Sequence, residues 1–239
     1  MKRIESAALL VRSVPYGEAD IVATFFTEES GKLGAIVRGA RRSTKRFAGA
    51  LEPIHELYVT LEDKGKELCV LKEARIGRPR IGITSDLEAM DAAGHALRWV
   101  RHLCPARTPE PGAWASLRAL LDVLDAREPG VPVAQHLASF GLRLVADVGY
   151  AIELERCVRC GRACPEGRAA YVDAAGGGLV CSSCGGARRT IAGDLRDLAL
   201  RVVRGERVVL ARGQAGELVD IVEDAMAAHA GFEPTSLSR

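Results

Sequence analysis

The sequence has no run approaching the ~18 apolar residues of a membrane span. Its short N-terminal apolar stretch, Ala7-Ala-Leu-Leu-Val11, is closed off by Glu5 and Arg12 before a signal-peptide core could form. It also lacks a Gly-x4-Gly-Lys-[Ser/Thr] loop. Its two Gly-Lys pairs read Gly31-Lys32-Leu33 and Gly65-Lys66-Glu67, which excludes a P-loop phosphate cradle and ATP as a fuel. The five histidines, His55, His95, His102, His136 and His229, have neither metal nor triad spacing. Glu28-Glu29 and Glu62-Asp63 fall at turns or strand ends and read as solvated. No enzyme, no small-molecule substrate and no membrane partner is expected. The chain is expected to be cytoplasmic, with reduced thiols.

Acidic residues are missing from one further place. The net charge of +2 hides an uneven division. Residues 1–80 hold 15 Lys/Arg against 11 Asp/Glu, and the remainder holds 18 against 20. Between Lys32 and Leu51 there is no carboxylate at all, while Lys32, Arg38, Arg41, Arg42, Lys45 and Arg46 fall there. A stretch that cannot neutralise itself presents a positive field to solvent, as a phosphate-binding surface does. From charge alone, a solvated loop rich in arginine accounts for the run equally well.

At 239 residues and 48% hydrophobic content, the chain is long enough for one or two domains with a real core. Five segments rich in β-branched and aliphatic residues read as strands: Ile4–Arg12, Asp20–Phe26, Lys32–Arg38, Ile54–Leu61 and Leu68–Ile76. Pro15-Tyr-Gly17 and Ser30-Gly31 supply the first two turns. Residues 39–50 make a long connection between the third and fourth strands, the plan of an OB-fold, which binds single strands through a basic groove and stacking aromatics. Phe47, the only aromatic in the basic run, is either a stacking residue or a staple tucking the loop onto the barrel.

After Pro79 the period changes to 3.6. Ser85-x-x-Glu88 reads as a capping box opening a helix with Leu87, Met90, Leu97 and Val100 on one face. Further helices carry Trp114 to Leu124, Val133 to Val148, Leu195 to Val202 and Leu218 to Met226. The expected class is α+β multidomain: a five-stranded OB-fold barrel over 1–80, then an α-helical bundle domain over 81–239. A four-cysteine zinc module is inserted in that bundle at about 155–188.

That module rests on Cys157-x2-Cys160 and Cys181-x2-Cys184, the zinc-ribbon spacing. Two disulfides or a chance pairing are the alternatives. The segment between the pairs is polar and Gly-rich, with too little apolar material to close by burial. Four thiolates fill a tetrahedral shell and leave no place for water, so one zinc ion is expected to be structural. Cys164 lacks the spacing and reads as a free thiol, although it could replace a neighbouring ligand. Cys69 and Cys104 read as small buried hydrophobes.

Val11-Arg-Ser-Val-Pro-Tyr-Gly-Glu-Ala-Asp20, Phe26-Thr-Glu-Glu-Ser-Gly-Lys-Leu33, Gly39-Ala-Arg-Arg42 and Phe47-Ala-Gly-Ala-Leu-Glu-Pro53 resemble, in order, the N-terminal signature of the RecO recombination mediators. The helices with inserted CxxC pairs are similar to that family's C-terminal part. The resemblance implies a nucleoid-associated DNA repair protein that binds single- and double-stranded DNA and anneals complementary strands. It further implies loading of recombinase onto DNA coated by single-strand-binding protein, with RecR as partner. The C-terminal tail of single-strand-binding protein would need an apolar pocket with a basic rim, and Arg98-Trp-Val-Arg101 or Arg196 to Arg204 could supply it. The alternative is a zinc-ribbon regulatory or structural protein that binds a protein or duplex DNA without annealing strands.

Overall fold

The computed structural model describes residues 1–42, 47, 49–127 and 130–232. They form two compact units, Met1–Arg127 and Glu128–Arg239.

The first unit begins with five strands, β1 (Lys2–Tyr16), β2 (Asp20–Thr27), β3 (Gly31–Val37), β4 (Glu56–Asp63) and β5 (Cys69–Arg78). They close into a barrel in the order β1-β2-β3-β5-β4, with β3 and β5 parallel and every other pair antiparallel. This is the OB-fold expected from the sequence. Alternation decides the interior: Ile4, Ala8 and Leu10 from β1, Phe25 from β2, Leu33, Ala35 and Val37 from β3, and Leu57, Val59 and Leu61 from β4 point inward. β1 is longer than the barrel needs. Lys2 to Leu9 pair with β4, whereas Ala8 to Tyr16 pair with β2 across a bulge after Leu10, so the far end of β1 makes a hairpin with β2 alone.

Three helices complete this unit: α1 (Ile81–Thr84), α2 (Leu87–Leu103) and α3 (Pro111–Ala126). Two details depart from the sequence reading. The cap of α2 is Asp86, whose carboxylate accepts from the Ala89 N–H at 2.9 Å, while Ser85 Oγ donates instead to the Gly82 carbonyl. Leu87 and Met90 are exposed; the buried face is Ala89, Ala92, Ala93, Ala96, Leu97, Trp99, Val100 and Leu103. Small side chains let α2 approach its neighbours closely, so alanines rather than the first large apolar residues define its core side. The connection to α3 lies against the start of β3, where Gly31 (φ +64) leaves room for it. A Cβ at Gly31 would stand 1.8 Å from the Thr108 carbonyl oxygen.

The second unit contains α4 (Val133–Asp147), α5 (Gly193–Val203) and α6 (Arg212–Ala230). Between α4 and α5 lies a four-stranded sheet of β6 (Glu153–Cys157), β7 (Ala170–Asp173), β8 (Gly178–Val180) and β9 (Arg189–Ile191), in the order β6-β8-β7-β9. Buried Gln135 donates to the Val208 carbonyl at 2.9 Å and accepts from the Leu210 N–H at 2.7 Å, pinning the α5–α6 connection to α4. No helix among the described residues is long and apolar enough to cross a membrane.

Candidate metal centre and nucleic-acid interface

The two CxxC pairs sit in tight turns that converge. At the end of β6 the Gly161 N–H donates to the Cys157 carbonyl at 2.8 Å. In the other turn the Cys184 and Gly186 N–H groups both donate to the Cys181 carbonyl, at 2.9 and 3.1 Å. Gly185, at φ +100, takes a backbone conformation open to glycine. The Sγ atoms of Cys157, Cys160, Cys181 and Cys184 all lie within 4.8 Å of one another, and Cys160 and Cys181 are 3.7 Å apart. Zinc–sulfur bonds of ~2.3 Å place tetrahedral sulfurs ~3.8 Å apart, so the donor set fits that geometry.

Electrostatics favours thiolate here. The Cys181, Arg159 and Cys160 backbone N–H groups donate to the Cys157 sulfur and draw its pKa down to about 6. Cys181 is lowered too, burial opposing the shift and hydrogen bonds from Cys184 and Cys160 producing it. Hydrogen bonding to Cys181 and Cys160 pushes Cys184 up to about 12, because crowded sulfurs cannot all ionise without a cation among them. These four cysteines could hold a metal ion. Cys164 is not one of the group; its Sγ faces the Arg168 carbonyl at 3.9 Å. Buried Arg196 of α5 clamps the neighbouring loop, donating to the Cys164 carbonyl at 3.2 Å and the Pro165 carbonyl at 2.6 Å.

On the barrel, Arg38, Arg41 and Arg42 are exposed where β3 runs into its loop. The β1–β2 hairpin holds this loop from below. The Gly39 N–H donates to Asp20 Oδ1 at 2.8 Å, the Arg41 N–H to the Ala19 carbonyl at 2.9 Å and Arg41 Nη1 to the Gly17 carbonyl at 3.0 Å. Arg42 Nη2 meets Glu18 Oε2 at 3.1 Å. Lys45 and Arg46 lie outside the described residues. Lys32 does not join the group. It stands at the opposite end of β3, half-buried, with Nζ donating to the Arg101 carbonyl at the end of α2. Burial, reinforced by the Arg101 charge, lowers its pKa.

Family models for the N-terminal part of recombination protein O match residues 1–80, and those for its C-terminal part match residues 84–238. The chain belongs to the RecO family of DNA repair proteins. A DNA repair protein RecO of Anaeromyxobacter sp. (strain K) is 34% identical over 235 residues, 98% of this chain and 87% of the relative. That of Myxococcus xanthus is 37% identical over 185 residues, 77% of this chain and 74% of the relative. That of Geobacter metallireducens is 29% identical over 232 residues, 96% and 93%. The N-terminal family model ends at residue 80, where β structure gives way to helix, whereas the compact unit runs on to Arg127.

Within this RecO chain burial decides three candidates that the sequence singled out. Phe47 is buried in the barrel core, so it is the staple and not a stacking surface. Trp99 is completely buried, with His95 edge-on at 6.3 Å, and Arg196 is buried on its carbonyl partners. Neither Trp99 nor Arg196 is therefore presented to a tail peptide at the surface. Two features had no sequence signal. Tyr16, read only as a turn residue, is an exposed ring at the hairpin tip beside Arg41 and Arg42. Burial and the charges of Arg101, Lys32, Arg98 and Arg12 hold His102 below its ordinary pKa, which reveals a second cationic cluster drawn from β1, β3 and α2.

Proposed function

We propose that this chain is a non-enzymatic recombination mediator of the cytoplasm. It binds single- and double-stranded DNA through its barrel, anneals complementary strands and, with RecR, helps load recombinase onto DNA coated by single-strand-binding protein, whose C-terminal tail it engages. The observation that carries the DNA-binding part is the exposed Arg38, Arg41 and Arg42 group at the start of the β3–β4 loop, anchored by hydrogen bonds to the β1–β2 hairpin. Family membership supports the repair role. In this reading one zinc ion, held by Cys157, Cys160, Cys181 and Cys184, is structural: it would tie β6 to the turn after β8 and take no part in chemistry.

The deciding experiment follows annealing of two complementary oligonucleotides, bare and coated with single-strand-binding protein. Acceleration in both states is the expected result. DNA binding without acceleration would leave a zinc-ribbon binding module in place of a mediator. Co-purification with RecR, and titration with the tail peptide of single-strand-binding protein, check the two protein partners separately.

A further inference from the structure

Away from the basic loop, the outer face of the barrel carries an open trough of about 850 Å³ across β1, β4 and β5. Residues directly opposite in a ladder share a face, so two rungs make its floor: Glu5 with Thr60 and Glu73, and Ala7 with Tyr58 and Arg75. The β2–β3 turn forms a wall, fixed by the Glu28 N–H donating to the Ala7 carbonyl at 3.2 Å. Most cations of the trough are already committed. Arg3 Nε meets Glu5 Oε1 at 2.7 Å, Lys72 Nζ meets Glu62 Oε2 at 3.2 Å, and Arg118 Nε of α3 donates to Glu56 Oε2 at 2.7 Å. That leaves Arg75, whose guanidinium lies 4.4 Å over the Tyr58 ring, against the exposed carboxylates of Glu28, Glu29 and Glu73. None of these three has a side-chain partner among the described residues. The trough is therefore concave, negative and floored by a tyrosine.

The complementary surface lies on the same chain. Because β1 outruns the barrel, the β1–β2 hairpin projects from it, and its tip presents Arg41 and Arg42 beside the exposed side chains of Val14 and Tyr16. Arg38, Arg41 and Arg42 there outnumber Glu18 and Asp20, and Asp20 is already engaged by the Gly39 N–H. Within one molecule tip and trough cannot meet. Ala7 and Tyr16 lie about 30 Å apart along β1 at ~3.3 Å per residue, and the bonds to Gly17, Ala19 and Asp20 hold the loop at the tip. The fit is available only between two molecules. Exposed ion pairs alone would hold such a contact weakly. Here the charges are partly withdrawn from water inside a trough, where pairs across an interface gain strength and fix orientation, and Val14, Tyr16 and Tyr58 add apolar and aromatic contact.

We propose that copies of this chain associate head to tail, the hairpin tip of one, with Arg41 and Arg42, seated in the trough of the next against Glu28, Glu29 and Glu73. Such a contact is heterologous. It leaves a free tip at one end and a free trough at the other, so the assembly grows past a dimer as concentration rises. One consequence rests on the reading of the basic loop as the DNA site: a nucleic acid on Arg41 and Arg42 and a neighbouring copy exclude each other, so DNA takes the assembly apart.

The test is sedimentation velocity of the full chain over a concentration series, at low and at high salt. The unmodified chain should form species larger than a dimer at low salt and come apart as salt screens the contact. A trough variant, Glu28→Arg with Glu29→Arg, and a tip variant, Arg41→Glu with Arg42→Glu, should each weaken association about 10- to 100-fold, because like charges then face each other. The milder pair Glu28→Gln with Glu29→Gln should weaken it by less, which guards against a misfolded trough variant. An equimolar mixture of trough and tip variants should give a dimer and nothing larger, since one intact tip and one intact trough remain, on different molecules. A mixture that stays monomeric, or a tip variant that associates like the unmodified chain, would overturn the contact. So would an unmodified chain that is monomeric at low salt, even if its trough captures an oligolysine peptide. If that monomeric chain still loses DNA binding through the tip variant, the DNA site stands and only this inference falls. If instead the assembly forms and an added oligonucleotide binds without dissociating it, the exclusion of DNA by a neighbouring copy is overturned.

Discussion

The Arg80 guanidinium, completely buried at the end of the barrel, donates from Nε and Nη2 to a single oxygen of Asp122 on α3, at 3.2 and 3.0 Å. Its Nη1 reaches the Ile54 carbonyl at 2.8 Å, and its own N–H donates to His55 Nδ1 at 3.1 Å. The last residue before the helices is thus bonded both to the loop entering β4 and to α3. Removing one partner of a buried pair costs about 3–5 kcal/mol when the other charge is left uncompensated; Glu56 Oε2 remains 3.7 Å from Arg80 Nη2 and Asp122 is partly exposed, so at most the lower end applies. In urea titrations Asp122→Ala should lower the unfolding free energy of the first unit by up to about 3 kcal/mol at unchanged m. A loss below about 0.5 kcal/mol, the range of an ordinary surface substitution, would show that the pair does not hold α3 in place.

For the basic loop, alanine at Arg38, Arg41, Arg42, Lys45 and Arg46 together should weaken DNA binding to a similar degree across sequences, because phosphate contacts carry no base code. With about 3 to 5 such contacts, log K falls against log salt with a slope of about −3 to −5, and the variant should show a flatter line. A slope identical to that of the unmodified chain would place the phosphate contacts elsewhere.

Glu18 is the carboxylate paired with an arginine of this loop, Arg42, at 3.1 Å. A phosphate at Arg42 competes with it for the guanidinium charge. Glu18→Gln should therefore tighten DNA binding, by about threefold at low salt, with the difference fading as salt screens both contacts. Weaker binding in that variant would mean that the ion pair shapes the loop for DNA.

Elemental analysis should find one zinc per chain, kept in Cys164→Ala and lost in Cys157→Ser. Zinc loss in the first variant would revise the ligand set. Metal affinity should fall with pH, since protons compete for the thiolates. In the metal-free chain the sign is the same over a defined window. Cys157, lowered from 9.0 to about 6, adds stability that is full above pH 9 and lost as the pH falls through 6. Cys184, raised to about 12, opposes this only above pH 9. Apo-module melting followed between pH 9 and pH 6 should show a falling midpoint, and a rising one would contradict the thiolate assignment.

The sequence by itself determined the five strands, the barrel they close and the four cysteines that come together. Each depends on a short-range signal: an alternation of period two, a turn glycine, or a two-residue gap between thiols. Those signals survive folding because the backbone geometry that produces them is local. Tertiary structure decided which side of an element finds a partner. Leu87 and Met90 face solvent while the alanines of α2 are buried, because the neighbours of α2 lie against its small-residue face. Arg80 and Arg196 are buried with no local signal for it, since oxygens remote in sequence converge on their guanidinium groups. Lys32 and Arg38 look alike in the basic run, yet β3 carries them to opposite ends of the barrel, one into a helix end and the other to the exposed loop. Phe47, which the sequence left as either a stacking residue or a staple, is buried in the core while Tyr16 is exposed, because burial of an aromatic is settled by the cavity available to it, and no local pattern encodes that cavity.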